Sequence, residues 1–279
     1  MPSLRSFAVL LPLVWLICST QLARTTRAQD FRVYTAVTEI SPDATVRRVV
    51  ARSLTLFHSG RVYDHMEQLG ELVVFEPIHE RFTLIRDHTA ATVTFEELRQ
   101  YLDVATRSAE ACAAELRASR DPASARLGLH LQFQLQPEFE VQFDPATRRL
   151  RLRGSELLYE VRTDTAANSV VLAQYLAYAD WAARLNSVLH SQGVFPAPRE
   201  VLNRTLRERE LLPVSVTLQT RPPAGPTLRA DHEFRWQLQP IDKDQIHQWE
   251  RLRQSDRLQW VTFREYQQRL LASAGRNSR

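Results

Sequence analysis

The stretch VRRVVARSLTLFHSGRVYDHMEQLGELVVFEPIHERFTLIRDHTAATV, Val46–Val93, decides the fold class of this chain. It reads as five short strands: Val49–His58, Arg61–Met66, Glu71–Glu76, Arg81–Arg86 and Ala90–Val93. Turn residues punctuate them at Ser59-Gly60, Leu69-Gly70, Glu76-Pro77 and Arg86-Asp87. Connections this short exclude parallel crossovers, which need a dozen residues or more, so the segment is an antiparallel meander.

Outward from the meander, Phe31–Ile40 alternates as a preceding strand that Ser41-Pro42-Asp43 should end. On the other side, Thr94 and Glu97 form a capping box for a helix to about Ser119, with Asp121-Pro122 as its stop. Leu129, Leu131, Phe133, Leu135, Phe139, Val141 and Phe143 then fall on odd positions between polar residues. Period two predicts a strand over Leu129–Phe143, bent at Pro137. A turn at Asp144–Thr147 should return it along Leu150 and Leu152. The expected register sets Val141 opposite Leu150, Phe139 opposite Leu152, Glu140 opposite Arg151 and Glu138 opposite Arg153. Leu157–Arg162 adds another strand.

Asn168–His190 carries an apolar stripe (Val171, Tyr175, Tyr178, Ala182, Leu185, Leu189), widened by Leu172, Leu176, Ala179 and Ala183, and predicts a long buried helix ended by Gly193. A shorter helix follows from Pro198 to Leu211, with Pro213 as its stop. Val214, Val216 and Leu218 pair with Phe234, Trp236 and Leu238 in a hairpin around the proline loop Arg221–Pro226. A polar helix over Asp242–Gln254 and a last one from the Thr262/Glu265 capping box to about Ala272 complete the chain, with Ser273–Arg279 expected to fray.

Met1–Ala28 reads as a secretory signal peptide: Arg5, an apolar run Phe7–Cys18 of twelve residues, and small residues at Thr26 and Ala28. Cleavage is expected before Gln29; the rival readings are a retained anchor and a lipid-modified Cys18. The whole chain has 36 basic and 32 acidic residues. The leader holds Arg5, Arg24 and Arg27 and no acid, so the mature balance is 33 against 32, a net charge of +1. That removes the charge argument for nucleic acid. Residues 29–279 form one expected α+β domain whose C-terminal helices lie at about 242–272. Cys112 is the only cysteine beyond the leader, which excludes an internal disulfide and a four-cysteine zinc site, and its alanine-rich setting predicts a small buried residue. Seven glycines in 279 residues leave little room for phosphate-binding loops, and no G-x-S-x-G stands in the chain.

No catalytic, cofactor-binding or metal-ligating residue is assigned. His58, His65, His79 and His88 lie in the meander, and Asp64-His65, Asp87-His88 and Asp231-His232 are Asp-His pairs. Strand neighbours point to opposite faces, so such a pair cannot hold one ion unless it sits in a turn. Glu138 and Glu140 share a face but are expected to pair with arginines, which suits no glycosidase acid. Asn203-Arg204-Thr205 matches the glycosylation pattern inside a predicted helix and is taken as chance. Trp181, Trp236, Trp249 and Trp260 are too dispersed to form a base-stacking platform.

The leader, the meander with Leu72-Val73-Val74-Phe75 and Phe82-Thr83-Leu84-Ile85, the inserted helices and the late Phe234-Arg235-Trp236 resemble uncharacterised exported bacterial proteins. More distantly they resemble the lipoprotein-carrier (LolA-like) fold. That resemblance implies an α+β fold with a curved antiparallel sheet covered on one face by helices, able to shelter an acyl chain in an open half-barrel. No functional residue is carried over. The functions expected are an envelope binding or interaction protein, a scaffold for a protein partner, or a hydrolase on an unrecognised site. A hydrophobic small molecule or a protein is the expected partner, without nucleic acid and without a membrane span after leader removal.

Overall fold

The computed structural model describes residues 29–41, 45–189, 194–222 and 225–277. The expected leader Met1–Ala28, Pro42-Asp43, the expected stop Gly193 and part of the proline loop lie outside the described residues. The strands are β1 (Phe31–Ile40), β2 (Arg47–His58), β3 (Arg61–Met66), β4 (Glu71–Glu76), β5 (Arg81–Arg86), β6 (Thr89–Thr94), β7 (Glu140–Asp144), β8 (Arg149–Arg153), β9 (Leu157–Thr165), β10 (Leu211–Thr220), β11 (Thr227–Arg235) and β12 (Gln259–Trp260). The helices are α1 (Phe95–Arg117), α2 (Pro122–Leu135), α3 (Ser169–Leu189), α4 (Pro196–Glu208), α5 (Pro240–Arg253) and α6 (Phe263–Asn277).

All twelve strands form one open, curved sheet in the order β12-β6-β5-β4-β3-β2-β1-β11-β10-β9-β8-β7. The architecture is α+β, and pairing is antiparallel throughout except for the short parallel β12–β6 contact. The meander needs only tight turns. Ser59-Gly60 and Asp87-His88 each hold two consecutive residues at positive φ, as a two-residue hairpin matched to strand twist requires. The first strand closes the meander onto the last hairpin: Val33 lies opposite Phe234, about 200 residues later in the chain.

Helices α1, α3, α4 and α6 cover one face, here called the inner face. Phe31, Val33, Phe57, Val73, Phe75, Phe82 and Leu84 meet Leu98, Leu176, Leu202 and Tyr266 there. Leu176 is fully buried, and the long-helix expectation holds. Alternation along β4 sends Leu72 and Val74 to the other face, where α5 adds a cover of its own with Ile246 and Trp249. Charge fixes α5 in place: Asp242 takes Arg32 at 2.9 Å, Arg253 reaches buried Glu76 at 2.9 Å, and Tyr63 donates to Glu250 at 2.6 Å.

The expected strand Leu129–Phe143 is corrected. Residues 122–135 are helix α2, and only Glu140–Asp144 is strand. Asp121-Pro122 ends α1 and also starts α2. Pro122 occupies the first turn, and the Asp121 carboxylate accepts from the amides of Ala123 (3.3 Å) and Ser124 (3.0 Å). The leucine alternation therefore winds around a helix, leaving Leu127 and Leu129 exposed and Phe133 buried. Gly128 lets α2 lie against α1, because a Cβ there would stand 2.7 Å from the Arg117 backbone nitrogen.

The β7–β8 register is corrected by two residues: Val141 faces Leu152, Phe143 faces Leu150 and Glu140 faces Arg153. The loop is Pro145–Arg148, with Arg148 at φ 51°, one residue later than expected. Asp144 stays in the strand and braces the turn, accepting from Ala146 N at 2.9 Å and from the Thr147 hydroxyl at 2.6 Å. A shift of two preserves which side chains share a face. The last helix continues past Ala272 to Asn277.

Candidate binding site inside the sheet

Most of the inner face is apolar, but one band of it is not. Pairing places Thr35 opposite both His232 and Ser53, Ser53 opposite Met66, and Met66 opposite Glu71. In the next row Thr55 lies opposite Asp64. Two-residue periodicity thus brings polar groups from β11, β1, β2, β3 and β4 to one end of the inner face, beneath α3.

Each polar group is held differently. Asp64 accepts from the Thr55 hydroxyl and from the Tyr178 hydroxyl of α3, both at 2.8 Å. Burial nonetheless pushes its carboxyl above the ordinary range. Glu71 accepts from Tyr266 of α6 at 3.3 Å, while its Oε1 has no partner. Burial raises Glu71 too, with Arg86 opposing and the Asp64 charge reinforcing the rise. The Nδ1 of His232 lies 2.9 Å from the Thr35 hydroxyl, and its Nε2 is buried without a partner. Burial, aided by the nearby Arg199 charge, pushes the His232 pKa down to about 3, so the imidazole is neutral at ordinary pH.

A cavity of about 290 Å³ opens on the same face, lined by Met66, Tyr159, Ala183, Phe195, Pro196 and Arg199, among others. Met66 belongs to β3 and Tyr159 to β9, with β10, β11, β1 and β2 between them in the sheet. Side chains separated by four intervening strands can share one small cavity only because the sheet curls around it. Close by, Phe234 and Trp236 stack with ring centroids 5.4 Å apart and are only half-buried. Two larger clefts, about 560 and 660 Å³, lie elsewhere and are bordered by charges that largely satisfy one another, such as Arg184–Glu200 and Arg151–Glu160.

The sequence candidates separate accordingly. Asp64 and Met66 turn inward, whereas His65 turns outward against Trp249, centroids 5.5 Å apart. Asp231 pairs outward with Arg229 at 2.9 Å while His232 turns inward. Asp87 and His88 form a turn, and His58 bonds Asp30 at 2.7 Å. Among the described residues no group of three His, Cys, Asp or Glu could hold a metal, and no helix is long and apolar enough to cross a membrane. Asn203 is fully buried and donates to Asp180 at 2.7 Å, consistent with a chance glycosylation match. Cys112 is a correction: it is exposed, because α1 packs through Ala109 and Ala113 and turns Cys112 away.

Sequence reasoning missed Arg199 and weighed His232 only as half of an Asp-His pair. His232 was legible as an inward residue from its parity with Phe234. Arg199 shares a helix face with Asn203 and Leu206 at i, i+4 and i+7, a spacing that could have marked it as inward.

No protein-family model matches the chain, and no curated protein does. Among solved structures the chain is similar to a LolA superfamily protein from Nitrosomonas europaea. That likeness covers 77% of this chain and 89% of the other, at 9% identity and a TM-score of 0.28.

Proposed function

We propose that this chain is an exported cell-envelope binding protein that takes up an apolar ligand inside its curved sheet. The observation that carries this reading is the cavity walled by Met66, Tyr159, Ala183, Phe195 and Pro196 between β3, β9, α3 and α4. An apolar concavity with few polar groups suits binding better than acid–base chemistry. Export rests on the leader pattern of Met1–Ala28. Native mass spectrometry of protein purified from its own envelope tests the reading. A bound, extractable apolar molecule is expected. A bare apo mass, with no melting shift across a panel of lipids and alcohols, would overturn it.

A second reading, a scaffold for a protein partner, is favoured by the α1–α2 hairpin. Val104, Leu127 and Leu129 are each more than half exposed there.

A further inference from the structure

We infer that the ligand is a single-chain amphiphile with an anionic head, and that Arg199 holds that head. This inference rests on the proposed uptake of an apolar ligand and names its class. Arg199 is half-buried and is the one charged residue among the described lining of the cavity. No carboxylate among the described residues comes within ion-pairing distance of it. The groups that feel its charge are neutral: the Tyr175 phenol, the Tyr159 phenol and the His232 imidazole. A guanidinium drawn partly out of water without a counter-ion is costly, and a ligand carboxylate would offset that cost through paired charge-assisted hydrogen bonds.

Two further features lie around Arg199. The cavity meets the first turn of α4 at Phe195 and Pro196, where the helix dipole is positive; the Phe195 amide itself donates to Gln134 Oε1 at 2.9 Å. The buried Nε2 of His232 is unpartnered. If Thr35 donates to Nδ1, Nε2 carries the proton and is free to donate to an anion. Size sets the rest of the class. About 290 Å³ lies at the small end of ligand pockets, roughly 300–1,000 Å³, so one short chain fits and a two-chain lipid does not.

Titration calorimetry of the full mature chain at pH 7.5 with decanoate, 1-decanol and decyltrimethylammonium tests this. Decanoate should bind at least about tenfold tighter than decanol, and the cation most weakly. Arg199→Gln should erase the preference for decanoate while keeping decanol affinity within about twofold. Arg199→Met, which keeps an apolar stem, carries the same comparison should the glutamine variant fold poorly. Equal affinity for decanoate and decanol in the native protein, or an unchanged preference in the variants, overturns the anionic head and leaves the proposed function standing. Binding of none of the three overturns both.

Discussion

The β3–β5 region and the β7–β9 region belong to one sheet but live in different surroundings. In β4 every residue is buried, including Glu71 and Glu76, because α5 lies on one face and the other helices on the opposite one. In β8, Arg149, Arg151 and Arg153 are exposed while Leu150 and Leu152 are buried, because only one face is covered. The sequences already differ: LVVF is a continuous apolar run and RLRLR alternates strictly. A strand covered on both faces contributes stability at every position. A strand covered on one face leaves half its side chains free for other uses. The cavity lies where β3 from the first region faces β9 from the second.

The largest expected effect breaks that comparison directly. Trp249→Ala removes the main apolar anchor of α5 and should cost about 3–5 kcal/mol. Hydrogen exchange should then quicken in β3–β5 and stay unchanged in β8–β10; equal quickening in both would show that α5 is not what distinguishes them. Leu176→Ala acts on the shared inner face and should cost about 2–5 kcal/mol in urea melts, against under about 0.5 if that face were open.

A smaller effect depends on pH. The Glu71 carboxyl is raised by burial, so ionising it costs the folded state more than the unfolded one. That penalty is absent well below the ordinary glutamate value of 4.5 and grows as pH rises through the folded pKa. Glu71→Gln should therefore gain stability relative to the native chain between pH 4 and pH 7.5; a constant or shrinking gap would contradict the assignment. His232 slopes the other way. Its lowered pKa means that stability is lost as pH falls below 6.5 toward about 3. The smallest effect belongs to the outer face of the singly covered region: Arg151→Ala breaks the exposed pair with Glu160 and should cost only about 0.2–1 kcal/mol.

The meander was legible because its turns are local: β3, β4 and β5 begin and end at residues the punctuation marks. Residues 129–135 misled because Leu-x-Leu-x-Phe alternation fits a strand, while leucine and glutamine are also strong helix formers. The deciding signal was Asp121-Pro122, which marks a helix start as well as a stop. The second cover was hidden for another reason. Ile246 and Trp249 give α5 an apolar stripe, but nothing local says which sheet face it will meet. The site was least legible of all. Thr35 meets His232, and Arg199 meets Tyr159, only through pairings between distant parts of the chain.

The most direct test uses Met66, the only methionine after Met1. In protein comprising residues 29–279 and labelled with 13C-methyl methionine, the Met66 methyl resonance reports the cavity from the β3 side. The expected result is a nuclear Overhauser contact between that methyl and the Tyr159 ring from β9, and a shift of the methyl signal when decanol is added. A methyl with no contact to Tyr159 and no response to decanol would contradict a curved sheet closed around a ligand cavity.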